Sequence, residues 1–112
     1  MTTATHEEMR IKQRFSVSLQ AAGSLEGQGT AEHELRVSNL SATGARLHFD
    51  TTLHVRVGMR IALKIFIPHT ILHVPTTGEI MWVTRQGNAV SFGVRFADIL
   101  SETMVQQLIR KN

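Results

Sequence analysis

The 112-residue chain contains no cysteine and no tyrosine. The first absence removes disulfides, thiolate metal sites and cysteine nucleophiles together, and it agrees with a cytoplasmic setting. Together the two absences leave nothing to titrate between the histidines and the lysines. A formal net charge of only +3 therefore carries the isoelectric point to about 10.2, so that value is a weak pointer to nucleic acid. Lysine is scarce too: three residues against nine arginines. Arginine offers a planar donor fork that suits phosphate oxygens and the guanine edge. No stretch approaches the roughly 18 apolar residues of a membrane span. Residues 1–14 carry Glu7 and Glu8 and lack the apolar run of a secretory signal. The expectation is a cytoplasmic protein without membrane insertion.

Enzyme signatures are missing as well. There is no G-x-S-x-G, no Walker loop and no H-E-x-x-H. Gly27 and Gly29 precede no strand-to-helix phosphate loop and read as hairpin-turn residues. Six histidines invite a metal reading, above all His69 and His73. Pro68 and Pro75 bracket an extended segment there, and positions four apart in a strand lie about 13 Å from each other. They read as exposed polar residues. No metal, no cofactor and no catalytic residue is expected.

What is present is the composition of one globular domain, 42% hydrophobic and 19% charged. The chain is too short to hide a large enclosed active site behind its core. Period-two alternation runs through its middle. Phe15, Val17, Leu19 and Ala21 alternate with polar residues, as do Leu35 and Val37, then Ala45, Leu47 and Phe49. Ile61, Leu63, Ile65 and Ile67 form another such run, and Val90, Phe92, Val94 and Phe96 a further one. The stretch Ile71 to Thr84 is β-rich, with a bend or bulge expected at Pro75 and Thr77-Gly78. About six strands with one apolar face each must curl to cover it, which predicts an all-β fold, a small six-stranded antiparallel β-barrel. The last dozen residues change period. Met104, Val105, Leu108 and Ile109 share a helical face, Ser101 is an N-cap and Glu102 lies in the first turn, giving one C-terminal α-helix over about 101–111. Arg110 and Lys111 stand where the helix dipole favours cations.

Two clusters fall outside the core pattern. Arg10-Ile11-Lys12-Gln13-Arg14 places two arginines four apart before the first strand. Asn39-Leu40-Ser41-Ala42-Thr43-Gly44 lies between two alternating strands. By itself the second is hairpin chemistry, since Asn and Ser bond nearby backbone and Gly permits the turn. By itself the first is a solvated tail. In that order and spacing, R-x-x-x-R followed by [D/N]-x-S-x-x-G between strands resembles the PilZ domain. The likeness extends over the whole chain, through the turn at Gly58, the strands Gly78 to Trp82 and Gly93 to Phe96, and the terminal helix. Asn39 replaces the commoner Asp.

The resemblance implies a non-catalytic receptor for the bacterial second messenger cyclic di-GMP. Its expected ligand-binding residues are Arg10, Arg14, Asn39, Ser41 and Gly44, joined by Arg46, two residues beyond Gly44, and by Trp82. Arginine bonds phosphate as a charge-assisted fork and reads guanine O6 and N7 with two parallel bonds. Asn39 and Ser41 offer short polar groups for a guanine edge, and Gly44 clears space where ligand and backbone meet. Residues 1–9 would form a flexible arm before a single domain over 10–112. Ligand would fold the arm against the barrel and change the surface shown to a protein partner. Two readings of Trp82 stay open. Ile80 shares its parity, which suits a core or rim aromatic, while a stacking platform at the barrel mouth suits the ligand. Arg36, Arg46, Lys64 and Arg95 should point outward. The alternatives are a small-barrel module binding single-stranded nucleic acid and a ligand-blind interaction module. The first needs aromatic platforms on a basic groove, and Phe15, Phe49, Phe92 and Phe96 already belong to the core pattern.

Overall fold

The structure, a computed structural model, describes residues 13–29 and 31–110. Six strands follow one another: β1 (Phe15–Leu25), β2 (His33–Leu40), β3 (Gly44–Asp50), β4 (Arg60–Phe66), β5 (His73–Gln86) and β6 (Ala89–Phe96). Every neighbouring pair is antiparallel, and the order β1-β2-β3-β6-β5-β4 closes on itself into a barrel. Closure leaves each strand one apolar face for the interior. Val37, Leu47, Ile65, Ile80 and Phe92 are wholly buried there. Each such side chain contributes about 1.5–3 kcal/mol by leaving water. Arg36, Arg46, Lys64 and Arg95, at the alternate positions, are exposed as the period requires.

A single helix follows, α1 (Glu102–Ile109). Ser101 caps it, its hydroxyl accepting from the Met104 backbone N–H at 3.2 Å. Val105 and Leu108 are buried, and Ile109 packs at the core's edge. Met104, placed by its period on the same face, is 39% exposed. Arg110 is the C-cap residue; Lys111 lies outside the described residues. The segment leading into α1 is tied to the β2–β3 turn, because Phe96 N–H donates to Thr43 O and Leu100 N–H to Ala42 O, both at 2.8 Å. The turn that carries the second motif is thus held from two sides.

The bend expected at Pro75 and Thr77-Gly78 is not there. β5 runs unbroken for 14 residues, its first half paired with β4 and its second half with β6. Pro75 sits opposite Lys64, before the ladder to β6 begins at Gly78. Its missing N–H therefore faces no partner strand. The irregularity comes later. Between Ile80 and Trp82 the register slips by one residue, because Ile80 pairs with Val94 and Trp82 with Gly93.

Candidate functional site

Strict period two would turn Trp82 inward with Ile80 and Asn39 inward with Val37. Two bulges prevent it. On β5 the extra residue is Met81, and on β2 it is Ser38, since Val37 pairs with Leu47 and Asn39 with Arg46. A one-residue slip moves every later side chain to the other face. Ile80, ahead of its bulge, is fully buried, and Leu40 is brought inward by the slip at Ser38, whereas Trp82 is 40% exposed and Asn39 half-buried. The core or rim reading of Trp82 from its parity with Ile80 is corrected by this bulge: the ring lies on the outer surface.

The bulges align a transverse row across four strands, Asn39 on β2, Arg46 on β3, Gly93 on β6 and Trp82 on β5. The guanidinium carbon of Arg46 lies 5.5 Å from the centroid of the Trp82 ring, within cation–π range. Gly93 makes the close fit possible. A Cβ built there would overlap the indole Nε1, so the ring lies directly over the β6 backbone. Arg14, just ahead of β1, donates from Nη1 to Asn39 Oδ1 at 3.3 Å and so joins the row at its β2 end.

These residues wall an open groove of about 500 Å³. Arg14, Arg46 and Arg95 all border it, and among the described residues no carboxylate does. Such a surface attracts anions, and the Trp82 ring adds a flat apolar face. Thr43, Met81 and Gly93 also line it; the sequence motifs do not mark any of the three as a site residue. A glycine within the alternating strand Val90 to Phe96 is the available signal for Gly93.

Ser41 does not reach the groove wall. It is 1% exposed, and its hydroxyl is engaged inside the turn. It lies 3.2 Å from Thr43 Oγ1, accepts from Thr43 N–H at 3.3 Å and donates to Gly44 O at 3.4 Å. The Ser41 N–H also donates to Gly44 O, at 2.9 Å. Gly44 borders the groove, yet its lack of a side chain is demanded from the other direction. A Cβ there would overlap the Val94 carbonyl oxygen of β6. Arg10 lies outside the described residues. Of the expected residues, the structure therefore brings together Arg14, Asn39, Gly44, Arg46 and Trp82.

A second row runs beside the first, through Arg36, His48, Ser91 and Thr84. His48 is half-buried and bridges two strands, Nδ1 at 2.9 Å from Ser91 Oγ and Nε2 at 2.7 Å from Ser38 Oγ. Burial first, then the positive charges of Arg46 and Arg36, hold its pKa below the ordinary 6.5. His48 and His33, which packs on Phe49 with ring centroids 5.1 Å apart, are thus not simply exposed strand histidines. Among the described residues no group of three or more His, Asp or Glu side chains is placed to hold a metal.

The PilZ domain family model matches residues 6–111 of the chain. The chain is a PilZ domain. In its fold it is similar to the Bacillus subtilis inhibitor of motility, MotI/DgrA, with a TM-score of 0.62 at 16% sequence identity. The match covers 85% of this PilZ domain and 46% of that protein, so the chain corresponds to about half the neighbour's length. No curated protein sequence matches it. The R-x-x-x-R and [D/N]-x-S-x-x-G motifs of the family fall at Arg10 and Arg14 and at Asn39, Ser41 and Gly44. In this PilZ domain Arg14 flanks the groove from the β1 side and Asn39 and Gly44 from the β2–β3 side, while Trp82 closes it from β5.

Proposed function

We propose that this PilZ domain is a non-catalytic receptor for cyclic di-GMP, which it takes in the groove between Arg14 and Trp82. The observation that carries the proposal is the Asn39–Arg46–Gly93–Trp82 row with Arg14 at its end. The ligand presents two phosphates and two guanines. Guanidinium forks match both groups, and an indole face takes a base by stacking. Ser41 and Gly44 serve this site by fixing the turn that sets Asn39 and Arg46 in place. The relay is proposed to run through the residues ahead of β1: bound phosphates draw Arg10 and Arg14 together, the arm folds onto the barrel, and a protein partner meets a changed surface.

Binding to single-stranded nucleic acid has less to stand on. Phe49, Phe92 and Phe96 are buried, which leaves Trp82 without a second stacking platform among the described outer residues of this groove. Titration calorimetry with cyclic di-GMP, GTP and a short RNA distinguishes the readings. Saturable heat is expected from cyclic di-GMP at protein concentrations of tens of micromolar, which detects affinities of about −6 to −7 kcal/mol or tighter. Equal or greater heat from RNA, or none from cyclic di-GMP, would overturn the receptor reading.

A further inference from the structure

Next to the Asn39–Arg46–Gly93–Trp82 row lies another, through Gly44, Arg95, Glu79 and Arg60. Arg95 stands on the same outer face of β6 as Gly93 and diagonally across from Arg46. Its side chain is 67% exposed, and Glu79 Oε2 lies 3.6 Å from its Nη2. A tight charge-assisted pair closes to about 2.7–2.9 Å. The Glu79 contact is therefore loose, and an exposed pair of this kind shifts an equilibrium by about fivefold at most. Arg95 borders two grooves. One also holds the carboxylates of Glu26 and Glu79; the other, shared with Arg14, Arg46 and Trp82, holds none among the described residues. Charge complementarity sends an anion to the second.

We infer that Arg95 is a further ligand-binding residue, a phosphate-holding guanidinium that Glu79 restrains in the free domain and releases when cyclic di-GMP enters. This inference rests on the receptor reading above. Diagonal positions on adjacent strands lie about 7–8 Å apart, so Arg46 and Arg95 span neighbouring parts of one dianionic ligand. Glu79 then lowers affinity by competing for Arg95, and removing it strengthens binding. The two residues of one ion pair thus act on the ligand with opposite signs. A purely structural pair would not do that.

The test is calorimetric titration of the full chain with cyclic di-GMP. Arg95→Ala is expected to weaken binding about tenfold or more, the worth of a hydrogen bond to a charged group. Glu79→Gln is expected to tighten it about two- to fivefold. In the Arg95→Ala background Glu79→Gln should change nothing further, and Asp98→Asn, an equal change in net charge elsewhere, should not reproduce the gain. Melting temperatures should stay near wild type, because both side chains are exposed. Unchanged affinity in Arg95→Ala, or a Glu79→Gln gain that persists without Arg95, would overturn the inference while leaving the receptor reading intact if Arg14→Ala still loses affinity. Wild-type protein that binds no cyclic di-GMP would remove both.

Discussion

Phe92 and Gly93 are neighbours on β6 and face opposite ways. Phe92 is wholly buried among the inward side chains of the barrel, whereas Gly93 is buried because Trp82 lies across it. The inner surface is held by volume and the outer one by register. A core position tolerates little change in size. The outer row exists only because Ser38 and Met81 are each inserted into a strand, bringing Asn39 and Trp82 round to face Arg46. Substitutions on the two sides of the same strand should therefore separate stability from binding.

The largest effect is expected on the inner side. Phe92→Ala should cost about 3–5 kcal/mol of stability through lost burial and the cavity left behind. Denaturant unfolding measures it, and a loss under about 1 kcal/mol would mean the core repacks freely. On the outer side, Arg14→Ala should weaken cyclic di-GMP binding by about 2 kcal/mol, with the unfolding midpoint unmoved. A variant that unfolds instead would make Arg14 structural. Gly93→Val sharpens the contrast further. Its side chain must displace the indole, so affinity should fall by about 1–3 kcal/mol, the worth of a base stack, while the fold survives. Unchanged affinity there would detach Trp82 from the site.

The six strands, the terminal helix and its Ser101 cap are legible in the sequence because burial obeys a period, and the order of apolar and polar residues records that period directly. Arg14, Asn39, Gly44 and Arg46 were legible because their motifs are local. Trp82 was only half legible. Its parity with Ile80 pointed inward, and nothing local marks Met81 as the residue a bulge absorbs. The motif alone points to Ser41 as a ligand contact, yet its hydroxyl is spent on Thr43 and Gly44 inside the turn. The role of Gly93 and the pairing of Arg95 with Glu79 depend on the β5–β6 register, which the bulge at Met81 shifts. Bringing Arg46 beside them requires β3 to lie next to β6, and no spacing along the chain reveals that.

The smallest expected effect concerns His48, which ties β2 to β6 through Ser38 and Ser91. Its folded pKa lies below 6.5, so the unfolded chain takes up the proton first as pH falls. The stability linked to neutral His48 is fully present above 6.5 and is lost as pH drops from there through the folded value. His48→Gln should flatten this loss. Melting curves taken on either side of pH 6.5 would show it, and an identical pH slope in the variant would contradict the assignment.

The central claim, that cyclic di-GMP is taken on the outer row and not elsewhere on the barrel, has a local reporter. Trp82 is the chain's single tryptophan. Its emission, followed during titration with cyclic di-GMP, should quench saturably, with the midpoint matching the calorimetric affinity and GTP far less effective. Trp82→Phe should keep much of that affinity, and Trp82→Ala should lose about 1–3 kcal/mol of it. Emission that stays constant while calorimetry reports saturation, together with normal affinity in Trp82→Ala, would place the ligand away from this groove and contradict the account.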